Sequence, residues 1–554
     1  MKLSRLWFAV LFLLLCTQTL VHAQSKNKSY QFTYADTLRG SLSDLRTCYD
    51  VSCYDLNLRV TPETKAIYGH NRIIFKVVQD FKKLQLDLFE NMNIDSIVWQ
   101  KQQLRFKREG DAVFVSFPEK LAKGTSNEIK VYYFGQPKRA VNAPWDGGFV
   151  WKKDADELDW IGIACEGIGA SLWFPCKDHL SDEPDSTFIR CDVPAELTCV
   201  ANGKLLKTTR ISDETSRYEW KVSYPINSYN ITLNIGRYAH ISDTMRTQQG
   251  KILPLNYYIL RANADTARKH FAQVKPMLRC YEKYFGEYPF LNDGYKLVET
   301  PYWGMEHQSC IAYGNNFKNN KLGFDFIIIH ESGHEYWGNS ISCSDHAEMW
   351  IHESFCTYAE AIYVEELYGK TKALPYIAAW QPKVANKEPM LAPLGVNYTE
   401  WEGSDNYYKG ALMLNTFRNV LANDSLWFAI IKRLNTKFLR KNVNTQDIIE
   451  LFQEMYPKYA WQSIFHEYLK YKDLPTLEYK FEMDENAYWR IAYRWKVREK
   501  GFQMPVRVQW GKQSLLWQPT EEWQYHHLPF KPDSQDKLQI LAHEFYVECK
   551  KVIK

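Results

Sequence analysis

The chain lacks an excess of either charge, a second long apolar run, and any tract of repeated or low-complexity sequence. Its 69 basic and 65 acidic residues leave a formal charge of +4, which gives no support for a broad nucleic-acid-binding surface. Beyond the N-terminus no stretch approaches the ~20 apolar residues of a membrane helix, so no membrane span is predicted. The absence of linkers predicts domains that pack against one another.

The 12 cysteines include no C-x-x-C pair, which argues against a cysteine zinc site. Cys48 and Cys53 are close enough in sequence to form a small loop bridge, and so are Cys191 and Cys199. Export would permit such disulfides, but buried reduced cysteines explain the pattern equally well. Both interpretations stay open at this stage.

The first 23 residues have the pattern of a secretory signal peptide. Lys2 and Arg5 precede an apolar run from Leu6 to Leu15, and Ala23 ends the segment. Lipid attachment at Cys16 is an alternative, but Leu15 stands where a small residue is expected, which disfavours a lipoprotein. We therefore predict removal of residues 1–23 and a periplasmic or secreted protein.

Changes of pattern divide the rest of the chain into three domains, which together predict a multidomain α+β fold. Residues 24–238 are rich in β-branched and aromatic residues between turn signals, which predicts a β-sandwich-like domain. Helical spacing dominates residues 239–474, and residues 475–554 return to strands and predict a small β-sandwich. The helices predicted in the middle domain include residues 262–285, 324–337, 350–368, 408–421 and 445–455.

A metal-binding pattern lies in the helical domain. His330 and His334 enclose Glu331 in H-E-x-x-H, and residues four apart share one helix face, so both imidazoles can reach one ion. Glu331 projects beside them, where its carboxylate can take a proton from water that the metal activates. Gly333 inside the helix costs about 1 kcal/mol, which indicates a close approach by another group.

Glu353 is the candidate third ligand, nineteen residues after His334 and near the start of the next predicted helix. Two histidines and one glutamate form a common hydrolytic zinc site with one open position. Apolar neighbours favour burial of Glu353, and a buried carboxylate needs a partner. We therefore predict one Zn²⁺ per chain, held by His330, His334 and Glu353. Three other histidines are not needed as ligands: His307, His346 and His352.

These features resemble the M1 zinc aminopeptidases, also called gluzincins. H-E-x-x-H is followed by eighteen residues and Glu, as in the family, and residues 337–339 read W-G-N. Residues 303–307 resemble the family's G-x-M-E-N exopeptidase motif, and residues 407–410 its Y-x-K-G. Residues 164–166 and 173–178 resemble the N-domain segment that contributes to the amine site. The resemblance extends, in family order, from about residue 40 to the end.

The resemblance implies the family's thermolysin-like, mostly helical catalytic domain and a role for each matching residue. Glu331 would be the general base and would later pass the proton to the leaving amine. Tyr407 would stabilise the oxyanion through its hydroxyl, an interaction typically worth about 3–4 kcal/mol. Tyr408 is an alternative for this role, but only Tyr407 has the family's offset from Lys409.

The same resemblance assigns recognition of the substrate's free α-ammonium to Glu166 and Glu306, with Gly304 and Met305 also binding the substrate. The physical logic also stands alone, because a paired anionic site orients an amine and rejects blocked N-termini. Taken singly, either glutamate could instead be a structural acid.

The chain departs from the family pattern at two motif positions and in its C-terminal part. Trp303 replaces Gly and His307 replaces Asn in the exopeptidase motif. The bulk of Trp303 would narrow the pocket for the first residue, whereas the intact Met305 and Glu306 predict that amine recognition is kept. Only residues 476–554 follow Pro475, where many family members carry a large helical domain, so we expect a short form with a more open site.

The leading interpretation is a zinc-dependent aminopeptidase that hydrolyses the N-terminal peptide bond of peptides through metal-activated water. Its partners would be peptides with a free N-terminus, and no oligomeric state is predicted. The enzymatic alternatives are a zinc endopeptidase or an epoxide hydrolase on the same fold, which would turn over substrates without a free amine. A non-catalytic peptide-binding scaffold would show broken ligands, and all four residues of the zinc motif are present.

Overall fold

The computed structural model of the protein describes residues 31–510, 513–528, 531–532, 537–541 and 543–553. The predicted signal peptide and Cys16 lie outside the described residues. None of the described helices combines the length and the apolar character that crossing a bilayer requires.

The N-terminal part of the described chain consists mainly of strands, which follow two short helices, α1 (Tyr34–Gly40) and α2 (Asp44–Thr47). The strands are β1 (Tyr49–Thr61), β2 (Ala66–Val77), β3 (Phe81–Asp87), β4 (Met92–Trp99), β5 (Gln102–Gln103), β6 (Arg105–Glu109), β7 (Ala112–Leu121), β8 (Ser126–Gly135), β9 (Gly148–Lys153), β10 (Asp159–Ala164), β11 (Ser186–Pro194), β12 (Thr198–Ala201), β13 (Lys204–Ser212), β14 (Thr215–Val222) and β15 (Leu233–Gly236).

These strands form three sheets, in the orders β13-β14-β11-β1-β2-β8-β4-β5, β12-β15-β10-β9 and β3-β7-β6. In the largest sheet β1 pairs antiparallel with β2 and parallel with β11. Every second residue of β11 is buried, because successive side chains of a strand point to opposite faces of the sheet. This alternation is the pattern that predicted a β-rich N-terminal domain.

The middle of the chain begins with a five-stranded sheet and continues as helices. Its strands are β16 (Tyr238–Arg246), β17 (Ile252–Leu260), β18 (Tyr295–Glu299), β19 (Gly304–Met305), β20 (Ile311–Tyr313), β21 (Ile341–Cys343) and β22 (Lys441–Val443). Its helices are α3 (Ala264–His270), α4 (Val274–Phe285), α5 (Phe326–Gly333), α6 (Trp350–Tyr368), α7 (Lys370–Ala378), α8 (Tyr408–Leu421), α9 (Asp424–Lys437), α10 (Thr445–Met455) and α11 (Trp461–Leu469). In the five-stranded sheet, of order β16-β17-β18-β20-β19, the short strand β19 lies at the edge.

The C-terminal part returns to strands, as predicted. They are β23 (Thr476–Met483), β24 (Trp489–Lys496), β25 (Val506–Trp510), β26 (Gln513–Trp517), β27 (Gln524–His527) and β28 (Glu548–Lys551). Four form a sheet of order β27-β24-β23-β28, and β25 pairs with β26. The predicted fold class, with a β-rich N-terminus, a mostly helical middle and a small β region, is confirmed.

Three predicted helices, α6, α8 and α10, have the bounds that the sequence predicts. The single helix predicted over residues 262–285 is wrong, because a 3₁₀ turn at residues 271–273 separates α3 from α4. The helical reading of the middle region also missed its five-stranded sheet. All five residues of β18 are buried, and it pairs in parallel with β17 and β20, so it shows no alternation in sequence.

Aromatic side chains and cysteines are mostly interior. Trp173, Trp337, Trp350 and Trp427 are among the largest side chains that are fully buried, so the aromatic richness reflects core packing in these cases. The eleven cysteines in the described residues are all free, and ten of them are buried. Of the two interpretations left open by the sequence, buried reduced cysteines match the structure.

Candidate metal and substrate site

The two histidines of the motif lie at the end of α5, a short buried helix. Asp325 caps its start by accepting a hydrogen bond from the Ile327 amide at 3.1 Å. The helix ends at Gly333, earlier than the predicted residue 337. The chain then turns through Gly338 at φ +125°, where a Cβ would meet the His334 ring at 3.1 Å. His330 and His334 both line a cleft of about 780 Å³.

Both imidazoles present the same nitrogen to the site. His330 Nδ1 donates to Glu360 Oε1 at 2.8 Å, and His334 Nδ1 donates to the Trp337 carbonyl at 2.9 Å. Because these acceptors engage a ring proton at Nδ1, Nε2 is the nitrogen that each imidazole can offer to a metal ion. The two Nε2 atoms face each other at 3.3 Å. Two imidazole nitrogens at this separation are held together by a shared cation, which can be a proton or a metal ion.

Glu353, in the first turn of α6, adds a third donor to this pair. Its Oε2 lies 3.5 Å from His330 Nε2 and 3.6 Å from His334 Nε2. This Oε2 atom is buried and has no hydrogen-bond partner among the described residues. A tetrahedral zinc ion with bonds of about 2.0–2.1 Å holds its ligands about 3.3–3.4 Å apart. The three donors therefore fit a zinc-sized divalent cation, and all three residues line the cleft.

Glu331 also lines the cleft, and it lies against the edge strand β19. A Cβ at Gly304 would stand 2.6 Å from Glu331 Oε1, so a glycine at this position makes room for the carboxylate. Burial raises the pKa of Glu331 to about 8. A divalent cation held by the neighbouring imidazoles would lower that pKa again and favour the basic form.

The two predicted amine-binding glutamates lie on the same cleft as the metal donors. A carboxylate oxygen of Glu306, one of Glu331 and a ring nitrogen of His334 lie within 4.8 Å of one another. Burial raises the pKa of Glu306 to about 7, and burial together with the Glu306 carboxylate raises the pKa of Glu166 well above its ordinary value. This concentration of carboxylates favours a cationic guest.

Tyr407 lies directly before α8 and lines the cleft, and the other residues of its Y-x-K-G motif hold α8 in position. Its ring stacks beside His330, with ring centres 6.0 Å apart. Lys409 Nζ donates to the carbonyls of Tyr471 and Lys472 at 3.0 and 2.8 Å. A Cβ at Gly410 would collide with the Ser354 side chain of α6. The glycine therefore allows α8 to pack closely on α6, and the lysine binds α8 to the residues that follow α11. Burial raises the pKa of Tyr407 well above its ordinary value, so it remains a proton donor.

The predicted substrate contacts Gly304 and Met305 form β19 and line the cleft. Trp303, just before them, does not line it in the described structure. Its ring packs 5.2 Å from that of Phe326 and 6.0 Å from that of Trp145, and Trp145 does line the cleft. The expectation that Trp303 itself narrows the pocket is therefore corrected. Its ring packs between Phe326 and Trp145, and it is Trp145 that lines the cleft.

The three histidines set aside as ligands have other environments. His352 Nε2 accepts the Cys343 amide at 2.8 Å, which engages that nitrogen. His346 is buried and lines the cleft. His307 is fully buried, and neither ring nitrogen has a hydrogen-bond partner among the described residues.

Three functional neighbours were missed by the sequence analysis. Glu360 orients His330, and its position seven residues after Glu353 on one helix was the available signal. Tyr229 donates to Glu306 Oε1 at 2.9 Å from a distant part of the chain, so no local pattern marks it. Cys356 places its sulfur within 4.8 Å of ring nitrogens of His330 and His334, but its thiol donates to the His330 carbonyl at 2.7 Å.

Comparison with known proteins finds matches over both the N-terminal and the helical parts of the chain. Residues 270–468 match the sequence profile described as "Peptidase family M1 domain", and residues 51–230 match "Peptidase M1 N-terminal domain". An aligned relative is the probable aminopeptidase 1 of Sulfurisphaera tokodaii, 21% identical over 441 residues that cover 76% of this chain and 53% of that protein. Mouse endoplasmic reticulum aminopeptidase 1 is 22% identical over 321 residues, 54% of this chain and 32% of that protein.

A solved structure with the same fold is a variant M1 zinc metallopeptidase from Deinococcus radiodurans bound to a Tyr-Ser-Ala substrate. It aligns with a TM-score of 0.67 and 20% identity, over 79% of this chain and 98% of that chain. The chain spans only about a third to a half of the length of the two curated relatives named above.

Proposed function

The chain belongs to peptidase family M1, and from this premise we propose that it is a zinc-dependent aminopeptidase that removes the first residue from peptides with a free N-terminus. The donor set of His330, His334 and Glu353 supports zinc as the cofactor, one ion per chain. The aminopeptidases among its relatives and the peptide bound to the Deinococcus enzyme support the substrate class.

One observation carries the choice of an exopeptidase. The carboxylates of Glu306 and Glu331 lie within 4.8 Å of each other and of a ring nitrogen of His334. In a peptide, the N-terminal nitrogen and the first carbonyl carbon are only about 2.5 Å apart. An ammonium held at Glu306 therefore places the first carbonyl, and no later one, beside the metal donors and Glu331.

The residues around the metal divide the chemistry between them. A bound zinc ion would supply Lewis acidity, which polarises the substrate carbonyl and makes water acidic near neutral pH. Glu331 would take the proton from the attacking water and pass it to the leaving nitrogen. The Tyr407 hydroxyl would donate a hydrogen bond to the oxygen that becomes negative. Glu360 and the Trp337 carbonyl would keep both imidazoles in the ligating tautomer.

Recognition of the amine would come from Glu306 and Glu166. Tyr229 donates to one oxygen of Glu306 at 2.9 Å, which holds the carboxylate in the cleft where the substrate ammonium would bind. Both glutamates lie in the cleft, so an acetylated N-terminus would bury them without a counter-charge. The site would therefore discriminate against blocked peptides.

The test is a panel of aminoacyl 4-nitroanilides and their N-acetyl counterparts, assayed with wild-type protein, with chelator, and with Glu331→Gln. We expect free-amino substrates to be cleaved at least 10²-fold faster than blocked ones. Chelator should abolish cleavage, and Glu331→Gln should lose about 10²–10⁴-fold in kcat, the usual contribution of a general base. Glu400→Gln, on an exposed part of the cleft wall, is the matched control and should retain activity.

Three outcomes would overturn the proposal. Equal turnover of free and acetylated substrates would favour the endopeptidase alternative, and turnover of epoxides alone would favour the hydrolase. Cleavage that is indifferent to chelator would remove the metal from the mechanism.

We also propose that the protein is exported as a mature chain that begins near Gln24. The support is the sequence pattern of the first 23 residues, with two basic residues, an apolar run and Ala23 before the cut. N-terminal sequencing of the protein from its source organism tests this. A start at Gln24 is expected, whereas a start at Met1 would contradict export, and acylation of Cys16 would show a lipoprotein instead.

A further inference from the structure

The backbone that follows Glu166 is held by an arginine from the first helix of the chain. Arg39, near the end of α1, donates from Nη2 to the Gly167 carbonyl at 3.1 Å and also to the Ile168 carbonyl. These two peptide groups lie directly after Glu166. A hydrogen bond from the Ile168 amide to the Glu166 carbonyl at 2.7 Å closes the turn. The guanidinium therefore clamps the turn that carries a predicted amine-binding carboxylate.

Arg39 is itself fixed in place. Asp178 lies 3.9 Å from its Nη2, and Gly169, at φ +94°, leaves room for the pair, since a Cβ there would stand 2.4 Å from Nη2. The buried Arg46 donates to the Arg39 carbonyl at 2.5 Å. His179 Nε2 lies 3.1 Å from the carbonyl of Gly40, at the end of α1. The first two contacts hold the guanidinium, and the last two hold the backbone at the end of α1.

A third segment meets the same carbonyl from the helical part of the chain. Asn397 Nδ2 donates to the Gly167 carbonyl at 3.0 Å. A Cβ at Gly40 would stand 2.4 Å from the Asn397 amide, so α1 packs tightly on this loop. The next residue but one, Thr399, lines the cleft together with Arg39. The Gly167 carbonyl thus joins α1, the Glu166 turn and the loop around Asn397.

We propose that Arg39 is a positioning residue for amine recognition, which acts through the Gly167 and Ile168 carbonyls to hold the Glu166 carboxylate beside Glu306. The proposal rests on the proposed function, in which these two carboxylates bind the substrate ammonium. Residues 34–40 precede the range 51–230 matched by the family profile, so α1 is a contribution from outside that range. Arg39 would make the recognition of the amine depend on α1.

The consequence is a selective loss of affinity for the amine. Without the guanidinium, the Glu166 turn keeps one side-chain donor, Asn397, and can shift away from Glu306. A displacement of about 1 Å at a binding group can cost on the order of 10²-fold, so Arg39→Ala should raise KM for free-amino substrates by about ten- to a hundredfold. The kcat should change less than threefold, because Glu331, Tyr407 and the metal donors stay in place. Arg39→Lys, which retains one donor group, should recover part of the loss.

The experiment measures kcat and KM on an aminoacyl 4-nitroanilide and its N-acetyl counterpart for wild type, Arg39→Ala, Arg39→Lys and Asn397→Ala. The anilide has no carboxylate, so an effect on it cannot come from direct pairing of Arg39 with a substrate C-terminus. Asn397→Ala removes the other donor to Gly167 and should move KM in the same direction. Arg498→Ala, at an exposed ion pair of 2.6 Å with Asp473, is the control and should leave KM unchanged.

The outcomes separate this inference from the proposed function. If wild-type protein shows no preference for free amines, the proposed function fails first. If wild type shows the preference and Arg39→Ala keeps the wild-type KM, the positioning role is wrong. A parallel fall in kcat and thermal stability, with KM unchanged and no recovery in Arg39→Lys, would show a merely structural role and would also overturn it.

Discussion

The sulfur of Cys356 lies 2.9 Å from the point where a Cβ at Gly333 would stand. The same thiol donates to the His330 carbonyl at 2.7 Å, so it bridges α6 to the backbone of α5. Glu353 stands one turn earlier on α6, and this close approach brings its carboxylate to His330 and His334. Gly333 costs about 1 kcal/mol of helix stability, but it allows α6 to come close enough for Glu353 to reach the two histidines.

The close approach of Gly333 and Cys356 predicts that a side chain at position 333 impairs stability and zinc binding, and that removing the sulfur restores zinc binding. Gly333→Ala should destabilise the fold by about 1–3 kcal/mol, the range for overpacking a buried site, and should weaken zinc binding by moving Glu353 away. The double variant Gly333→Ala/Cys356→Ala removes the sulfur and should recover most of the zinc affinity. Denaturant unfolding and a zinc competition titration measure the two effects, with Cys356→Ala alone as the reference. A double variant as impaired as Gly333→Ala would contradict the account.

Glu360 should tune the metal site although it does not touch the ion. Its carboxylate holds the proton of His330 at Nδ1, and loss of such an outer partner typically costs about 10–100-fold in metal affinity. We expect this loss in Glu360→Ala and a smaller one in Glu360→Gln, which still offers an oxygen. Competition with a fluorescent chelator measures the affinities, and equal affinity in Glu360→Ala and wild type would show that His330 needs no partner.

The catalytic roles of Tyr407 and Tyr408 can be distinguished by replacing each of them with phenylalanine. Tyr407→Phe should lower kcat by about 10²–10³-fold with little change in KM, because its hydroxyl is needed only when charge develops on the carbonyl oxygen. The Tyr408 hydroxyl accepts from Lys383 Nζ at 3.2 Å, so Tyr408→Phe should stay near wild type. Steady-state kinetics of both variants on one aminoacyl anilide measures the difference. A large loss of kcat in Tyr408→Phe with none in Tyr407→Phe would assign oxyanion stabilisation to Tyr408 instead.

His307 should destabilise the protein in acid. Burial lowers its pKa from 6.5 to about 3, so between these values the unfolded state binds a proton that the folded state does not. The stability that neutral His307 contributes is present above about pH 6.5 and falls by about 1.4 kcal/mol per pH unit as pH drops. In His307→Asn, the free energy of unfolding should therefore fall less steeply between pH 6 and pH 4 than in the wild type. Urea unfolding across this range measures it, and parallel profiles for both proteins would refute the prediction.

The sequence predicted the local chemistry well, because a helix converts spacing into proximity. His330, His334 and Glu353 needed only the four-residue period and a second helix to be placed together, and α6, α8 and α10 have the predicted bounds. The family resemblance added Glu306, Glu166 and Tyr407, and the structure brings all three to the same cleft. Their roles remain predictions until variants are assayed.

The missing pieces depend on contacts between distant segments. Arg39 meets Gly167 across 128 positions, and Tyr229 meets Glu306 across 77, so neither pairing leaves a periodic signal. The strand β18 was missed because it is buried on both faces, so its sequence lacks the regular apolar–polar alternation of a half-exposed strand. Trp303 was misjudged because the direction of its ring depends on packing against Phe326 and Trp145, which only the folded chain determines.

The most direct test of the central claim is mass spectrometry of an unlabelled peptide of eight residues, incubated with metal-free protein and with the same protein after addition of one equivalent of zinc. The account predicts no products without zinc. With zinc it predicts a ladder of peptides shortened one residue at a time from the N-terminus, and no change in the N-acetylated peptide. Internal fragments, cleavage of the acetylated peptide, or a ladder formed equally without zinc would contradict it.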